Sequence, residues 1–390
     1  MTKNNKDAYD DERRTTKKPS QKPTGKKPAK KPVKKELSKK EQAKKTRRRI
    51  IFFTAEILVL VVMVMVLWEV LKIKPERRVE INEEDIVINQ QVKEAEETTL
   101  RGYRNIALFG VDSTAGALTK NTRSDTIMIA SINQDTGDCR LVSVYRDTYL
   151  NLSNDTYTKC NSAYNSGGPE MAMNMLNMNL DLNITDFVTV GFAGLTDAID
   201  ALGGVYIDVQ SNEIIHLNNY QLTISENLKR SYTKVESPGY QVLNGLQATA
   251  YCRIRYGLPR GDLDRAMHQR QVLMAVADQA KKASVSSLEQ TATSVFNEVY
   301  TSLSLDEILE LLKDISKYNI VETAGFPADG KWADMAHPKK GACIAPIDLT
   351  ENVAWLHEFL FGVENYDPSD TVKECSKVIA EDYAKYPKVD

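Results

Sequence analysis

The sequence predicts a layered α/β fold: an α-β-α sandwich with a central mixed sheet, preceded by one transmembrane helix. Three observations predict it. Short apolar runs of strand length alternate with stretches of helical period. A polar, glycine-containing turn at residues 134–138 joins two of these runs into a hairpin, so the sheet contains an antiparallel pair. Residues 50–71 form an apolar run of 22 residues. As a helix it would span about 33 Å, enough for a hydrocarbon core of about 30 Å.

Net charge is −2 over 390 residues, but the charge is unevenly spread. Residues 1–49 hold 20 Lys and Arg against 6 Asp and Glu, whereas residues 72–390 hold 31 against 45. Rich in Lys, Pro, Thr and Gln and without an apolar period, residues 1–49 are expected as a disordered basic tail. Such a tail suits anionic lipid headgroups. It has no helix-turn-helix signal and no interleaved aromatics, so no nucleic acid is expected as a partner.

Arg47, Arg48 and Arg49 adjoin the apolar run, and Lys72 and Lys74 stand at its other end. The positive-inside rule then keeps the N-terminus in the cytoplasm and places residues 72–390 outside, on a single-pass anchor in the cell membrane. A cleaved signal peptide would need a shorter apolar core and a small-residue cleavage site. Glu69 falls at the far interface beside Trp68. Glu56 lies deeper and needs protonation or a partner. Residues 72–103, charged and glutamate-rich, read as a stalk.

Residues 106–111 (IALFGV) have the continuous apolar character of a buried strand and run into Asp112 and Ser113. In open α/β sheets ligands collect at that edge. Residues 126–133 form a second strand, preceded by Arg123 and Asp125. Residues 139–145 form a third, which runs into Arg146 and Asp147. In an antiparallel hairpin, strands one and three end where strand two begins, so all these charges converge on one edge. Residues 161–168 (NSAYNSGG) are expected as a loop, with Pro169 opening a helix to Leu180. Met171, Met175 and Met178 make a stripe on that helix, suited to a core or to a lipid chain. A strand at 187–192, a helix at 194–202, a strand at 205–209 and a helix capped by Asn244 continue the alternation.

Residues 251–271 read YCRIRYGLPRGDLDRAMHQRQ, with five arginines: Arg253, Arg255, Arg260, Arg265 and Arg270. On an extended segment Arg253 and Arg255 leave from one face, and on the helix that follows Arg265 and Gln269 share another. Guanidinium forks held on two adjoining elements suit a phosphate or pyrophosphate. Any one of these arginines alone also fits a surface salt bridge.

The segments NIALFGVDS, TRSDTIMIASIN, VYRDTYL, the Tyr164–Gly168 loop, DAIDALGGVYIDV and LNGLQATAYCRIRY…GDLDRAMHQRQ occur in a fixed order. Together they resemble the LytR-CpsA-Psr family of Gram-positive cell-envelope proteins. The resemblance implies a catalytic domain at residues 104–285. It implies a phosphotransferase moving a glycopolymer, such as teichoic acid or capsular polysaccharide, from undecaprenyl-pyrophosphate to peptidoglycan through a phosphodiester link. Asp112 and Asp125 match the family's Mg²⁺-binding acids. Arg123, Arg146, Arg253, Arg255, Arg265 and Gln269 match its pyrophosphate-binding set. Asp262 matches an acid that orients the arginines, and Arg146, Asp125 and Asp262 form the implied catalytic group. The base for the acceptor hydroxyl stays open among Asp125, Asp147 and Asp262. Arg260 and Arg270 match no family position and are expected in solvent. Leu258-Pro259, Asp264 and His268 depart from the family pattern, which bears on headgroup preference. The other reading is a non-catalytic module that binds polyprenyl-phosphate lipids or regulates envelope assembly, and it predicts binding without turnover.

Other chemistries are disfavoured. The four histidines and five cysteines show no zinc-binding spacing, and neither a P-loop nor a G-x-S-x-G elbow occurs. An outside location permits disulfides, and Cys343 with Cys375 is the preferred pair. Residues 286–390 are expected as a helical extension packed on the main domain, with one strand at 320–326 and a loop-like stretch at 327–346.

Overall fold

The computed structural model describes residues 79–95, 100–112, 118–119 and 121–388. The expected tail at 1–49, the anchor at 50–71 with Glu56, and part of the stalk lie outside them. No helix among the described residues is long and apolar enough to cross a membrane.

The centre is a six-stranded mixed sheet. Its strands are β1 (Tyr103–Val111), β2 (Ser124–Asn133), β3 (Asp138–Val144), β6 (Asp186–Val190), β9 (Val299–Thr301) and β10 (Asn319–Phe326), in the order β10-β3-β2-β1-β6-β9. β2 runs antiparallel to both β1 and β3, as the polar turn predicts, while β6 is parallel to β1 and β10 is parallel to β3. The C-terminal ends of β1, β3, β6 and β10 therefore share one edge with the N-terminal end of β2.

Side chains alternate across the sheet. Ala107, Phe109, Ile127, Ile129 and Val142 face a core built with helix α2 (Ser162–Leu180) and with helices α9 (Leu349–Phe361) and α10 (Asp370–Lys385). Ala130, Leu141 and Leu108 face the other way, toward Leu273 of helix α6 (Asp262–Lys282). Met175 of the methionine stripe is fully buried in the α2 core, the first of the two readings offered. A second core lies under the two-stranded sheet β7 (Val205–Val209) with β8 (Gly239–Leu243). It is shared with helices α3 (Phe192–Ala201), α4 (Ile214–Leu228) and α5 (Gly245–Tyr251).

Five expectations change. The described residues of the 72–103 stretch are no free stalk: Ile86, Val92 and Leu100 are buried in the main core, and helix α1 (Gln90–Ala95) forms there. Residues 162–168 are helical, because Tyr164 is drawn inward to donate to Thr189 Oγ1 at 2.9 Å and to pack edge-on against Phe109. Gly168 at φ 72°, ψ −159° then kinks the helix before Pro169. The 286–390 segment is not only helical: it supplies β9 and β10 to the central sheet, and α7 (Val285–Val295) and α8 (Leu305–Lys313) come between α6 and β10. Residues 332–346, expected as loop, form the hairpin β11 (Trp332–His337) and β12 (Gly341–Pro346), bridged to Thr148 and Pro387. Finally, Cys343 and Cys375 are buried free thiols rather than a pair, as are Cys139 and Cys160. Cys343 sits on β12 with its thiol toward Gly341 O, and Cys375 sits on α10 among a separate set of neighbours, Tyr157 and Asn151.

Candidate active site

The shared edge collects the charged residues. Asp112 follows β1, Asp125 is the second residue of β2, and Arg146 and Asp147 follow β3. α6 arrives above them with Asp262 and Asp264 in its first turn, where negative charge complements the helix dipole. Asp264 accepts hydrogen bonds from the backbone N–H and Nε of Arg260, both at 2.9 Å, which fixes the approach to the helix.

An ionic lattice results. Arg146 Nη1 donates to Asp125 Oδ1 at 2.8 Å, and its Nε lies 3.3 Å from Asp262 and 3.7 Å from Asp147. Arg265 contacts Asp262 at 2.9 Å and Asp125 at 3.7 Å, and donates to the Asp125 carbonyl at 3.3 Å. Lys159, on the short strand β5 (Tyr157–Lys159), which pairs with β4 (Tyr149–Asn151), reaches Asp147 at 2.9 Å. Arg265 Nε is nonetheless buried without a hydrogen-bond acceptor among the described residues, so one strong donor stands unused. Burial works against the Arg146 charge, but Asp262 and Asp125 outweigh it and raise its pKa. Burial lowers the pKa of Arg265 despite Asp262. Burial also lifts the Asp262 carboxyl above its ordinary range, more than Arg265 and Arg146 pull it back.

Beside the lattice a cavity of about 460 Å³ opens between the sheet and α6. Leu108, Val188, Leu195, Val272, Leu273 and Val276 give it apolar walls, and Asp112, Asp125, Arg253, Arg255, Arg265 and Gln269 stand at its polar end. Arg146 and Asp262 reach that end through their contacts with Asp125 and Arg265.

The arginine pair reaches the cavity by a route the sequence did not specify. α5, opened by an Asn244–Gln247 capping box, ends at Tyr251, and Arg253 and Arg255 lie in the turn after it rather than on a strand. The fully buried Ile254 between them anchors that turn. Arg253 packs over the Phe192 ring at 4.5 Å and the Tyr220 ring at 5.3 Å, and approaches Asp112 at 3.9 Å. Gln269 donates to Cys252 O at 3.4 Å, tying α6 to the same turn.

Two expected residues fall elsewhere. Arg123 is exposed at the start of β2, makes no ion pair among the described residues and does not line the cavity. Arg270, expected in solvent, is only 9% exposed, because it shares the α6 face of Leu263 and Ala266 that packs against Tyr145. Arg260 is exposed as expected, paired with Asp264 and with Asp329 at 3.4 Å. Sequence reasoning missed Lys159, Phe192, Tyr220 and the buried His268–Glu213 contact at 3.0 Å, which ties α6 to the start of α4. Each depends on a partner far away in the chain, so no local pattern marks it.

Among the described residues, no three His, Cys, Asp or Glu side chains converge as a metal cage. Two carboxylates at the polar end, Asp112 and Asp125, are a donor set that suits Mg²⁺ when substrate phosphates complete its shell. Asp112 is half exposed, and among the described residues its ion pair is the 3.9 Å Arg253 contact.

An apolar cavity ending in arginines and aspartates on a mixed α/β sheet defines the class: the chain belongs to the LytR_cpsA_psr family, whose profile matches residues 72–340. Among individual proteins it is 30% identical over 234 residues to the polyisoprenyl-teichoic acid–peptidoglycan teichoic acid transferase TagU of Enterococcus faecalis, covering 58% of this chain and 72% of that one. The crystal structure of Bacillus subtilis TagV superposes with a TM-score of 0.54 at 26% identity, over 69% of this chain and 99% of that one. TagT with bound octaprenyl pyrophosphate lipid shares the fold, with a TM-score of 0.50 at 22% identity, over 67% of this chain and 92% of that one.

Proposed function

We propose that this protein transfers a polyprenyl-pyrophosphate-linked glycopolymer, a teichoic acid or a similar polymer, to peptidoglycan. The observation that carries the reading is the apolar cavity opening onto the Arg253, Arg255 and Arg265 cluster. Such a site matches a ligand with a long apolar chain and a dense anionic head. The name of the TagU relative and the lipid in the TagT structure support the same reading.

In this reading the isoprenoid chain lies along Leu108, Val188, Leu273 and Val276, and the pyrophosphate meets Arg253, Arg255 and Arg265, with Gln269 as a polar neighbour. The acceptor sugar hydroxyl attacks the polymer-bearing phosphorus. A new P–O bond forms, the bridging P–O bond breaks, and polyprenyl phosphate departs with the bridging oxygen. Arg146 and Arg265 offset the negative charge that builds on these oxygens. The hydroxyl proton passes to a carboxylate of the lattice. Burial biases Asp262 toward proton uptake. Asp125 holds both arginines in place. Mg²⁺, when bound by Asp112 and Asp125, would neutralise pyrophosphate charge. Arg123 stays in the scheme as a peripheral phosphate contact. With the anchor at 50–71 and the N-terminus in the cytoplasm, the site would face the outer leaflet, where lipid and peptidoglycan meet.

The test is an assay of the full-length chain in detergent with a lipid-pyrophosphate-linked oligosaccharide, peptidoglycan fragments and Mg²⁺. The wild type is expected to release polyprenyl phosphate and to form linked product. The Arg253→Ala protein is expected to stay folded and lose product. Binding of the lipid by the wild type without turnover would instead establish the non-catalytic reading.

A further inference from the structure

The inner residues of the β7–β8 sheet, Val205, Ile207, Val209 and Leu243, are buried. Its outer face carries Tyr206, Asp208, Tyr240 and Val242. Solvent-facing positions of an antiparallel pair are ordinarily polar. Here Tyr240 is 72% exposed and Tyr206 is 44% exposed. The register sets Tyr206 opposite Val242 and Asp208 opposite Tyr240, so the two tyrosines are diagonal neighbours on one face. Their rings lie 5.4 Å apart at 20°, an offset stack, and Lys282 Nζ sits 5.6 Å from the Tyr206 centroid. Tyr240 keeps an open face.

A cavity of about 270 Å³ lies between this face and α6, with Asp208, Gln271, Asp278 and Gln279 among its walls. Gln279 is held by a hydrogen bond from Nε2 to Leu202 O at 3.3 Å. The site thus combines a rigid aromatic surface with several side chains able to donate or accept.

We propose that this cavity is a sugar-binding subsite for an uncharged pyranose of a glycan strand. A pyranose offers an apolar CH face to a ring such as Tyr240, and its hydroxyls need both the carboxylates and the amides that line the walls. Two carboxylates against one ammonium leave the cavity net negative, which disfavours a polyphosphate chain and favours a neutral sugar backbone. Gln271 lies about 9 Å beyond Arg265 along α6, so a strand held here runs close to the lattice. On the proposed reaction this strand is the acceptor. That assignment rests on the transferase reading, whereas the sugar site does not.

The experiment is calorimetric titration of the full-length chain in detergent micelles with chitohexaose, a neutral oligomer of N-acetylglucosamine. Saturable binding is expected, unaffected by polyglycerol phosphate. Tyr240→Ala should weaken it by roughly tenfold, the size of one lost stacking face, and Arg146→Ala should leave it unchanged. Tyr240 is exposed enough that its truncation spares the core, which circular dichroism checks. No binding by folded wild type, or equal binding by the Tyr206→Ala/Tyr240→Ala double variant, overturns the subsite. A dimer lost in that variant by sedimentation, without sugar binding, would also overturn it by assigning the patch to a second copy. Transfer without sugar binding sinks the subsite alone. Sugar binding without transfer sinks only its assignment to the acceptor.

Discussion

At the scale of single residues, Arg146 and Asp262 connect the lattice to the cavity mouth. Arg146 touches three carboxylates, two of them through its buried Nε. Arg146→Ala is expected to lower the transfer rate by about 10²–10³-fold, the usual effect of removing one preorganised donor from a charge-building centre. Lysine, which lacks the planar fork, should restore little of it. The Asp262 carboxyl has its pKa raised by burial, so on acidification it takes up its proton at a higher pH than an ordinary aspartate. The sign follows: any stability that this shift contributes is present below the unfolded carboxyl pKa and is lost as pH rises through the folded value. The rate should therefore fall on the acid side above the ordinary carboxylate range. A pH–rate profile of Asp262→Asn should lack that limb. An identical acid limb in wild type and variant would remove Asp262 from the proton path.

At the scale of elements, α6 carries the site. Arg265, Gln269, Val272 and Val276 line the cavity in succession, and their spacing puts them on one helical stripe, polar near the N-terminus and apolar beyond. That much was legible, because helical period and charge are local properties. So was the meeting of Asp112, Asp125 and Arg146 at one edge, since a five-residue polar turn dictated the antiparallel hairpin. The β11–β12 hairpin was not legible. Pro338 and Gly341 give its stretch the look of a loop, and its strands are held by distant residues, Thr148 and Pro387. The Arg253 stack on Phe192 and Tyr220 was hidden for the same reason. Two expectations belong at this scale. Val276→Trp should obstruct the apolar walls and weaken polyprenyl-pyrophosphate binding by at least about tenfold. Inorganic pyrophosphate, which needs only the arginines, should bind the variant as it binds the wild type, by calorimetry. Gly168→Ala, at φ 72° and ψ −159°, should destabilise the fold by about 1–3 kcal/mol in urea unfolding, because that backbone region is nearly closed to residues with a Cβ.

At the scale of the molecule, the sheet divides its labour between faces. One face is filled by α2, α9 and α10, and the other leaves the cavity under α6. All five cysteines have raised thiol pKa values, including Cys160, whose thiol donates to Arg146 O at 3.3 Å, and Cys252 beside the cavity. Burial pushes Cys139 and Cys343 up to about 11 and Cys252 up to about 12. A raised pKa keeps the thiol protonated at neutral pH, so iodoacetamide should leave the native protein unmodified and label all five cysteines after unfolding. Labelling of only three would restore the Cys343–Cys375 pair.

The central claim is that the bond broken joins the two phosphates, with the polymer-side phosphate carried to the acceptor. It is tested most directly by labelling that phosphate with an isotope in a lipid-linked oligosaccharide and following it through a single turnover of the full-length chain. The account predicts label in the peptidoglycan-linked product and unlabelled polyprenyl monophosphate in the lipid fraction. Label remaining with a released polyprenyl pyrophosphate would contradict it.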